Sequence, residues 1–467
     1  MFRRLISLIT LSFCTFSGYA QDFVTYKYSP NVYNNGYAGI ADFDLDGNKD
    51  ILNVKSFSFS EFYIHHHDGT LPINFKATKI LQSSYYSAAF DIVDKDADGD
   101  MDILTVKGNK IVFLVNKSTP GKFLFEIESL PITFITKTPI LFSVDINKDN
   151  NMDIVVGDMT GKIKVFYYKS GSYVEYDVDF IQPAPVEGNL HKLRLADING
   201  DGLTDLVAGS LFGEKKGLIV YINEGQSFKP LIVADKITIR DIQVLDFDHD
   251  GDVDIISCGN IGNAKTILWW ENDLNITNKF VPMTLVTRNY DFDGFNAVDL
   301  NQDEAWDIVA SLKHQSDSNP GGLSLYISNG KLENITFTEN KIPDIPKDVL
   351  IESMLVSDVD NDGDQDFVTY TEQLWVENRL NTSSTDESKL QSQIILNPNP
   401  ASDQIQFNIT KPMDTKIWTS TGSLVYSKQV HPNESINISN LSSGLYFVTL
   451  DDGSGRSVSL KFVKGMD

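Results

Sequence analysis

Seven times between Asp42 and Asp366 the chain spells an acidic nine-residue stretch with Asp or Asn at positions 1, 3 and 5, usually Gly at 6, and Asp at 9. The copies start at Asp42, Asp94, Asp145, Asp197, Asp246, Asp299 and Asp358, so successive starts lie 52, 51, 52, 49, 53 and 59 residues apart. A period of that length holds four short strands and their turns, and repetition at a fixed period marks an array of equivalent supersecondary units. Each copy runs directly into an apolar segment rich in β-branched residues: ILNV, ILTV, IVVG, LVAG, IISC, IVAS and FVTY. These read as buried strands.

Within each copy the oxygen-bearing positions fall where a tightly curled backbone turns them inward. The candidate ligands are Asp42, Asp44, Asp46, Asn48 and Asp50 in the first loop, and Asp94, Asp96, Asp98, Asp100 and Asp102 in the second. The third loop offers Asp145, Asn147, Asp149, Asn151 and Asp153, and the fourth Asp197, Asn199, Asp201, Leu203 and Asp205. Asp246, Asp248, Asp250, Asp252 and Asp254 follow in the fifth, then Asp299, Asn301, Asp303, Ala305 and Asp307 in the sixth. The seventh holds Asp358, Asp360, Asp362, Asp364 and Asp366. Position 7 contributes its carbonyl, which is why Leu203 and Ala305 belong in the set, and Gly at position 6 permits the positive φ that curls the chain around an ion. A purely oxygen set without His or Cys suits Ca²⁺ rather than zinc or copper. Up to seven Ca²⁺ are expected, with the site at Asp299–Asp307 the weakest because Glu304 replaces the glycine. Asn150 in the third loop is a milder change, since Asn tolerates positive φ.

An EF-hand begins in the same way but requires Glu at position 12 between two helices. Here position 12 is Asn53, Thr105, Val156, Ala208, Ser257, Ala310 and Thr369, and strands follow. Ordinary Asp/Gly turns are the plainer alternative for any one copy, but turns do not demand acids at fixed offsets seven times over.

The net charge of −25 has a local origin: 29 of the 64 acidic residues lie inside the seven loops. Such a balance argues against nucleic acid, whose phosphates need basic patches. Residues 1–20, MFRRLISLITLSFCTFSGYA, read as a signal peptide cut before Gln21. Bulky Phe13 before Cys14 argues against a lipoprotein cysteine there. Loss of Arg3 and Arg4 takes the charge to −27, which seven Ca²⁺ would reduce to −13. Cys258 is then the remaining cysteine, so an intramolecular disulfide is impossible, and an exported chain must rely on core size or metal. No later apolar run approaches the length of a membrane helix.

The predicted fold is all-β: a seven-bladed β-propeller over residues 21–380, a linker over 381–392, and a small β-sandwich over 393–467. Blade two shows the pattern, with SAAFDIV, the acidic loop, DILTV, KIVFLVN and FLFEIES in order. The third strands of the later blades read IKVFYYK, LIVYINEG, ILWWEN, LSLYISNG and LWVEN. Blade seven runs into NTSSTDESKLQS with no fourth strand of its own, so the N-terminal FVTYKYS is expected to complete it and remove an exposed sheet edge.

The seven acidic loops, together with the WWEN, YINEG and WVEN strand ends, resemble FG-GAP/VCBS repeats, relatives of the integrin α-chain propeller. In the C-terminal module, NPNPASD, TSTGSLVY and LSSGLYFV are similar to the sorting domain of the type IX secretion system. That resemblance implies export across the outer membrane by the type IX machinery, and removal of the domain with anchoring at the surface. From its residues alone the module would equally serve as a small adhesion domain.

Catalytic signatures are sparse. The sequence has no G-x-S-x-G elbow, H-E-x-x-H helix or Walker loop, and GNIGNAKT at Gly259–Thr266 has the wrong spacing for phosphate. On a strand His65 and His67 would share a face, either as a ligand pair or as a solvated strand end. Trp269 and Trp270 would stack on a sugar or pack in the core, and Asp291–Gly294 reads as a decoy turn that mimics half a loop. If the metal loops share one face, as in the propellers this chain resembles, recognition would use the other. There lie SLFGEKKG (Ser210–Gly217), LKHQSDSNPGG (Leu312–Gly322), Lys215, Lys216, His314, and the aromatics Tyr85, Tyr86, Tyr290 and Phe292.

The leading expectation is a secreted or surface Ca²⁺-stabilised binding module, without catalytic residues, that recognises a glycan or protein in adhesion. A polysaccharide lyase or glycoside hydrolase built on the propeller, and an outer-membrane-associated scaffold, are the alternatives.

Overall fold

The computed structural model describes residues 23–28, 38–56, 59–69, 73–83, 89–133, 140–158, 161–178, 190–211, 217–225, 227–274, 277, 279–312, 322–342, 345, 354–369, 373–379, 396–397, 401–409, 411–419, 424–432, 434–451 and 457–465. The leader at 1–20, Tyr85 and Tyr86, Lys215 and Lys216, His314 and the linker at 381–392 lie outside the described residues.

Seven four-stranded antiparallel sheets follow one another along the chain. Sheet 1 is built from Ala38–Ala41, Asp50–Ser56, Ser60–His66 and Lys76–Ser83, and sheet 2 from Phe90–Val93, Asp102–Lys107, Lys110–Asn116 and Phe125–Thr133. Sheet 3 comprises Ile140–Val144, Asp153–Gly157, Ile163–Lys169 and Ser172–Asp177, and sheet 4 Leu190–Ala196, Asp205–Ser210, Gly217–Asn223 and Phe228–Asp235. Thr238–Leu245, Asp254–Ile261, Ala264–Asp273 and Lys279–Arg288 make sheet 5; Phe292–Val298, Asp307–Leu312, Gly322–Ser328 and Phe337–Lys341 make sheet 6. Sheet 7 takes Met354–Ser357, Asp366–Thr369 and Leu374–Asn378 from one end of this region and Phe23–Lys27 from the other. Its last pairing is antiparallel, with Phe23 opposite Asn378 and Lys27 opposite Leu374.

Burial explains the sequence pattern strand by strand. The second strands are apolar on both faces: Asp205–Ser210, Asp307–Leu312 and Asp366–Thr369 are buried at every position. A strand covered on both sides reads as a continuous apolar run, whereas one face in water gives alternation. The fourth strands show the second case, as in Lys76–Ser83 and Phe125–Thr133, which mix exposed and buried positions.

Each sheet shares an apolar core with the next. Leu52 and Val54 of sheet 1 pack with Ile103 and Leu114 of sheet 2. Leu104 and Phe113 meet Ile154 and Phe166 of sheet 3, whose Val155 and Tyr167 meet Leu193 and Tyr221 of sheet 4. Val207 joins Ile255 and Trp270 of sheet 5, and Trp269 joins Ile308 and Tyr326 of sheet 6. Val309 and Leu325 then pack with Phe367, Val376 and Phe23 of sheet 7. The series returns to its start, because Val368, Trp375 and Tyr28 share a core with Ile51 of sheet 1. Close approach at these junctions is glycine-dependent: a Cβ at Gly157 would lie 2.6 Å from Leu190, and one at Gly209 2.5 Å from Ile239, both in the first strand of the following sheet.

The C-terminal residues form a three-stranded sheet (Leu396–Asn397, Gln404–Phe407, Ser435–Asn437) and a four-stranded one (Leu424–Val430, Met413–Thr419, Gly444–Asp451, Ser457–Lys464). Ile405, Phe407, Ile417, Val448 and Phe462 from the two sheets fill one core.

Candidate metal centre

In all seven sheets the last residue of the first strand pairs with the Asp at loop position 9, from Ala41 opposite Asp50 to Ser357 opposite Asp366. The eight residues between them form the acidic loop, and one set of hydrogen bonds recurs in each. The position-1 carboxylate accepts from the position-6 N–H in every loop, as from Gly47 to Asp42 (2.9 Å) and from Glu304 to Asp299 (2.9 Å). The position-5 carboxylate accepts from the position-7 N–H, again in every loop.

Two positions per loop have positive φ. Position 6 does so as expected, including Asn150 (65°) and Glu304 (67°), so the sixth loop keeps the turn despite lacking glycine. Position 4 does so as well, at Leu45, Ala97, Lys148, Gly200, His249, Gln302 and Asn361. Nothing in the sequence marks it, because the residue there is glycine in a single copy.

The position-9 Asp has a part that sequence reasoning missed. Besides its expected place among the ion's ligands, its carboxylate is a clamp within the sheet. One oxygen accepts the position-2 N–H of its own loop at 2.9–3.2 Å in six loops. The other accepts the N–H of a residue ending the third strand at 2.6–2.8 Å, also in six. Burial raises these carboxyls, Asp50 to about 8, Asp254, Asp307 and Asp366 to about 7, and Asp153 and Asp205 to about 6.

Four loops gather carboxylates closely enough for one ion. Oxygens of Asp42, Asp44 and Asp50, of Asp94, Asp96 and Asp102, of Asp246, Asp248 and Asp250, and of Asp358, Asp360 and Asp366 lie within 4.8 Å of one another in each group. Like charges this close repel, and in the first group two buried oxygens have no hydrogen-bond donor, Oδ1 of Asp44 and Oδ1 of Asp50. Asp44 and Asp50 are at most 1% exposed. A buried anionic oxygen without a donor is costly, and a hard cation satisfies it. Burial first, and then the neighbouring carboxylates, hold Asp360 at about 8 and Asp364 at about 9. The residues therefore fit Ca²⁺. In the third, fourth and sixth loops position 3 is Asn, and its amide donates to the position-5 carboxylate at 3.1, 2.9 and 3.1 Å. Those loops are held together without gathering three acids.

The remaining candidates sort differently. His65 and His67 do share a face, but both are buried in the junction between sheets 7 and 1: His65 meets Tyr28 edge-on at 5.1 Å and His67 meets Phe75 at 5.1 Å. Neither is a solvated strand end. His66 points the other way, against Phe123. Trp269 and Trp270 are core residues on opposite faces, Trp269 against Phe247 and Trp270 donating to Ser257 Oγ at 2.8 Å. Two expectations are corrected. Asp291–Gly294 is not a turn, since Phe292 begins the first strand of sheet 6 and Asp291 and Asp293 pair with Arg240, with Lys265 also on Asp291. Phe292 is not an exposed recognition aromatic but is 1% exposed, because the bulge between Phe292 and Gly294 turns it into the core with Phe295.

Residues 145–208 and 197–257 match the FG-GAP-like repeat, and residues 396–465 match the secretion system C-terminal sorting domain. No curated protein matches the chain. Among solved structures, the crystal structure of BBS1N in complex with ARL6DN, soaked with mercury, aligns at 11% identity over 76% of this chain and 97% of that one, with a TM-score of 0.48. Among the described residues no helix is long and apolar enough to cross a membrane. With repeated four-stranded sheets, acidic loops at a fixed register and a terminal sorting module on the page, the chain contains FG-GAP-like repeats within an all-β, β-propeller-like fold and ends in a type IX secretion sorting domain for export to the cell surface or beyond.

Proposed function

We propose that the seven sheets are the blades of a closed seven-bladed propeller, that its acidic loops hold structural Ca²⁺, and that the exported protein serves as a binding module for an extracellular glycan or protein. The observation that carries the metal reading is the pair of buried, donorless carboxylate oxygens on Asp44 and Asp50, both members of the acids gathered in the first loop. The side chains at positions 1, 3, 5 and 9 and the carbonyl at 7 would hold the ion, whose charge relieves the repulsion among them. The closed ring is supported by the shared core between sheets 7 and 1. Extracellular calcium modules bind at about 10⁻⁴ to 10⁻³ M, which suits a millimolar supply outside the cell.

The test has two parts. EDTA should lower the melting temperature of the full chain steeply and Ca²⁺ should restore it; an unchanged melt removes the structural-metal reading. A glycan-array and polysaccharide screen in millimolar Ca²⁺, with product release followed in parallel, separates binding from turnover. Turnover would make the protein a lyase or hydrolase, and silence in both would direct the search to a protein partner.

A further inference from the structure

Side chains join neighbouring acidic loops into a series, and the series has one gap. Asn116, at the end of the third strand of sheet 2, donates to the carbonyl of Phe43 at position 2 of the first loop (2.7 Å). Asn223 reaches Ile146 in the third loop from sheet 4 (2.9 Å), Asn272 reaches Ile198 in the fourth from sheet 5 (2.7 Å), and Asn378 reaches Leu300 in the sixth from sheet 7 (3.5 Å). Each of these asparagines has its own backbone N–H held by the position-9 Asp of its own sheet. Loops five and six are joined by Trp306 Nε1 donating to Asp246 O (3.0 Å) and by His249 Nε2 against Glu304 O (3.1 Å). Gln302 Nε2 donates to Gly363 O (3.0 Å) between loops six and seven, and Asn361 Nδ2 to Gly47 O (3.0 Å) between loops seven and one.

Loops two and three differ. Their sheets share a core and a hydrogen bond between first strands, from Ser143 N to Asp91. Yet Tyr168 stands at the position of the bridging asparagine and Ala97 at the bridging position 4, and among the described residues no side-chain hydrogen bond connects the two loops.

We propose that the acidic loops are coupled nearest neighbours in the order 3–4–5–6–7–1–2, with loops two and three uncoupled, and that the bridging side chains are positioning residues for the metal sites. The proposal rests on the calcium reading. An ion that fixes Asp102 fixes the Asn116 backbone it clamps, which aligns the Asn116 amide on the Phe43 carbonyl. Phe43 lies between Asp42 and Asp44, so the first loop's acids are pre-set for their own ion. A ligand pre-ordering its neighbour's site is positive coupling, typically fivefold or more.

Hydrogen exchange read loop by loop against Ca²⁺ concentration tests this on the full chain. Asp96→Ala disables loop two, which borders both loop one and loop three. The midpoint for loop one should rise about fivefold while that for loop three stays put. Simple loss of negative charge would instead raise both alike, so equal shifts, or a shift in loop three alone, overturn the proposal. Asn116→Ser, which mimics the native Ser328, should abolish the response of loop one while loop two still fills. Retention of the response in that variant would also overturn it. Absence of Ca²⁺-dependent protection in the unaltered chain would defeat the calcium reading itself, an outcome distinct from sites that fill independently.

Discussion

Replacing Asp205 by Asn separates the clamp from the proposed metal-ligand role of position 9. Asp205 is fully buried, and its oxygens accept from Asn223 N at 2.7 Å and Ile198 N at 2.9 Å. Asparagine keeps the shape and one acceptor but turns an NH₂ group toward the second N–H. A hydrogen bond to a charged acceptor contributes about 1.5–3 kcal/mol, and the buried N–H left without an acceptor costs about 1–3 kcal/mol more. Against this, the neutral amide is easier to bury than a carboxylate already pushed up to about 6 by burial. The net loss should be about 2–4 kcal/mol. Urea unfolding of the full chain in excess EDTA is the informative assay, because the clamp needs no ion. A variant whose urea midpoint matches the wild type in EDTA and falls behind only in Ca²⁺ would refute the clamp and leave Asp205 as a ligand alone.

Glu304→Gly should raise stability by about 1 kcal/mol, since Glu at φ 67° is in a region disfavoured for L residues, and a urea midpoint that stays level or falls would contradict this. Asn199→Asp should lower the Ca²⁺ midpoint of the fourth loop several-fold while weakening the metal-free protein by about 1 kcal/mol, because the 2.9 Å bond to Asp201 becomes a repulsion; calorimetric titration checks both arms. His65 is held at about 4 by burial, so the folded protein keeps it neutral while the unfolded chain takes up a proton below 6.5. Stability is therefore lost as pH falls from about 6.5 to 4, by up to about 3 kcal/mol from this residue. His65→Phe leaves no donor or acceptor stranded, since neither ring nitrogen has a partner, and should flatten that part of the stability profile relative to wild type.

Much of this architecture was legible because it repeats. A strand buried on both faces must be apolar throughout, and a loop that curls around a cation must place oxygens at alternate positions; both demands recur seven times and stand out in one sequence. The YINEG, WWEN and WVEN segments that helped identify the repeats contain Asn223, Asn272 and Asn378, yet their task was invisible, since the carbonyls they hold lie in another sheet 74 to 78 residues away. The double service of position 9 was hidden for the same reason, its second donor coming from the third strand. Phe292 and Asp293 misled because a one-residue bulge reverses which side chain faces the core, and composition does not announce a bulge. Local chemistry, then, was written in the order of residues: where the loops fall, which of their positions bear oxygen, which strands are central. Which sheet each strand end grips, how both ends of the region meet in sheet 7, and where the series of loops is interrupted depend on contacts distant in sequence, which tertiary packing alone decides.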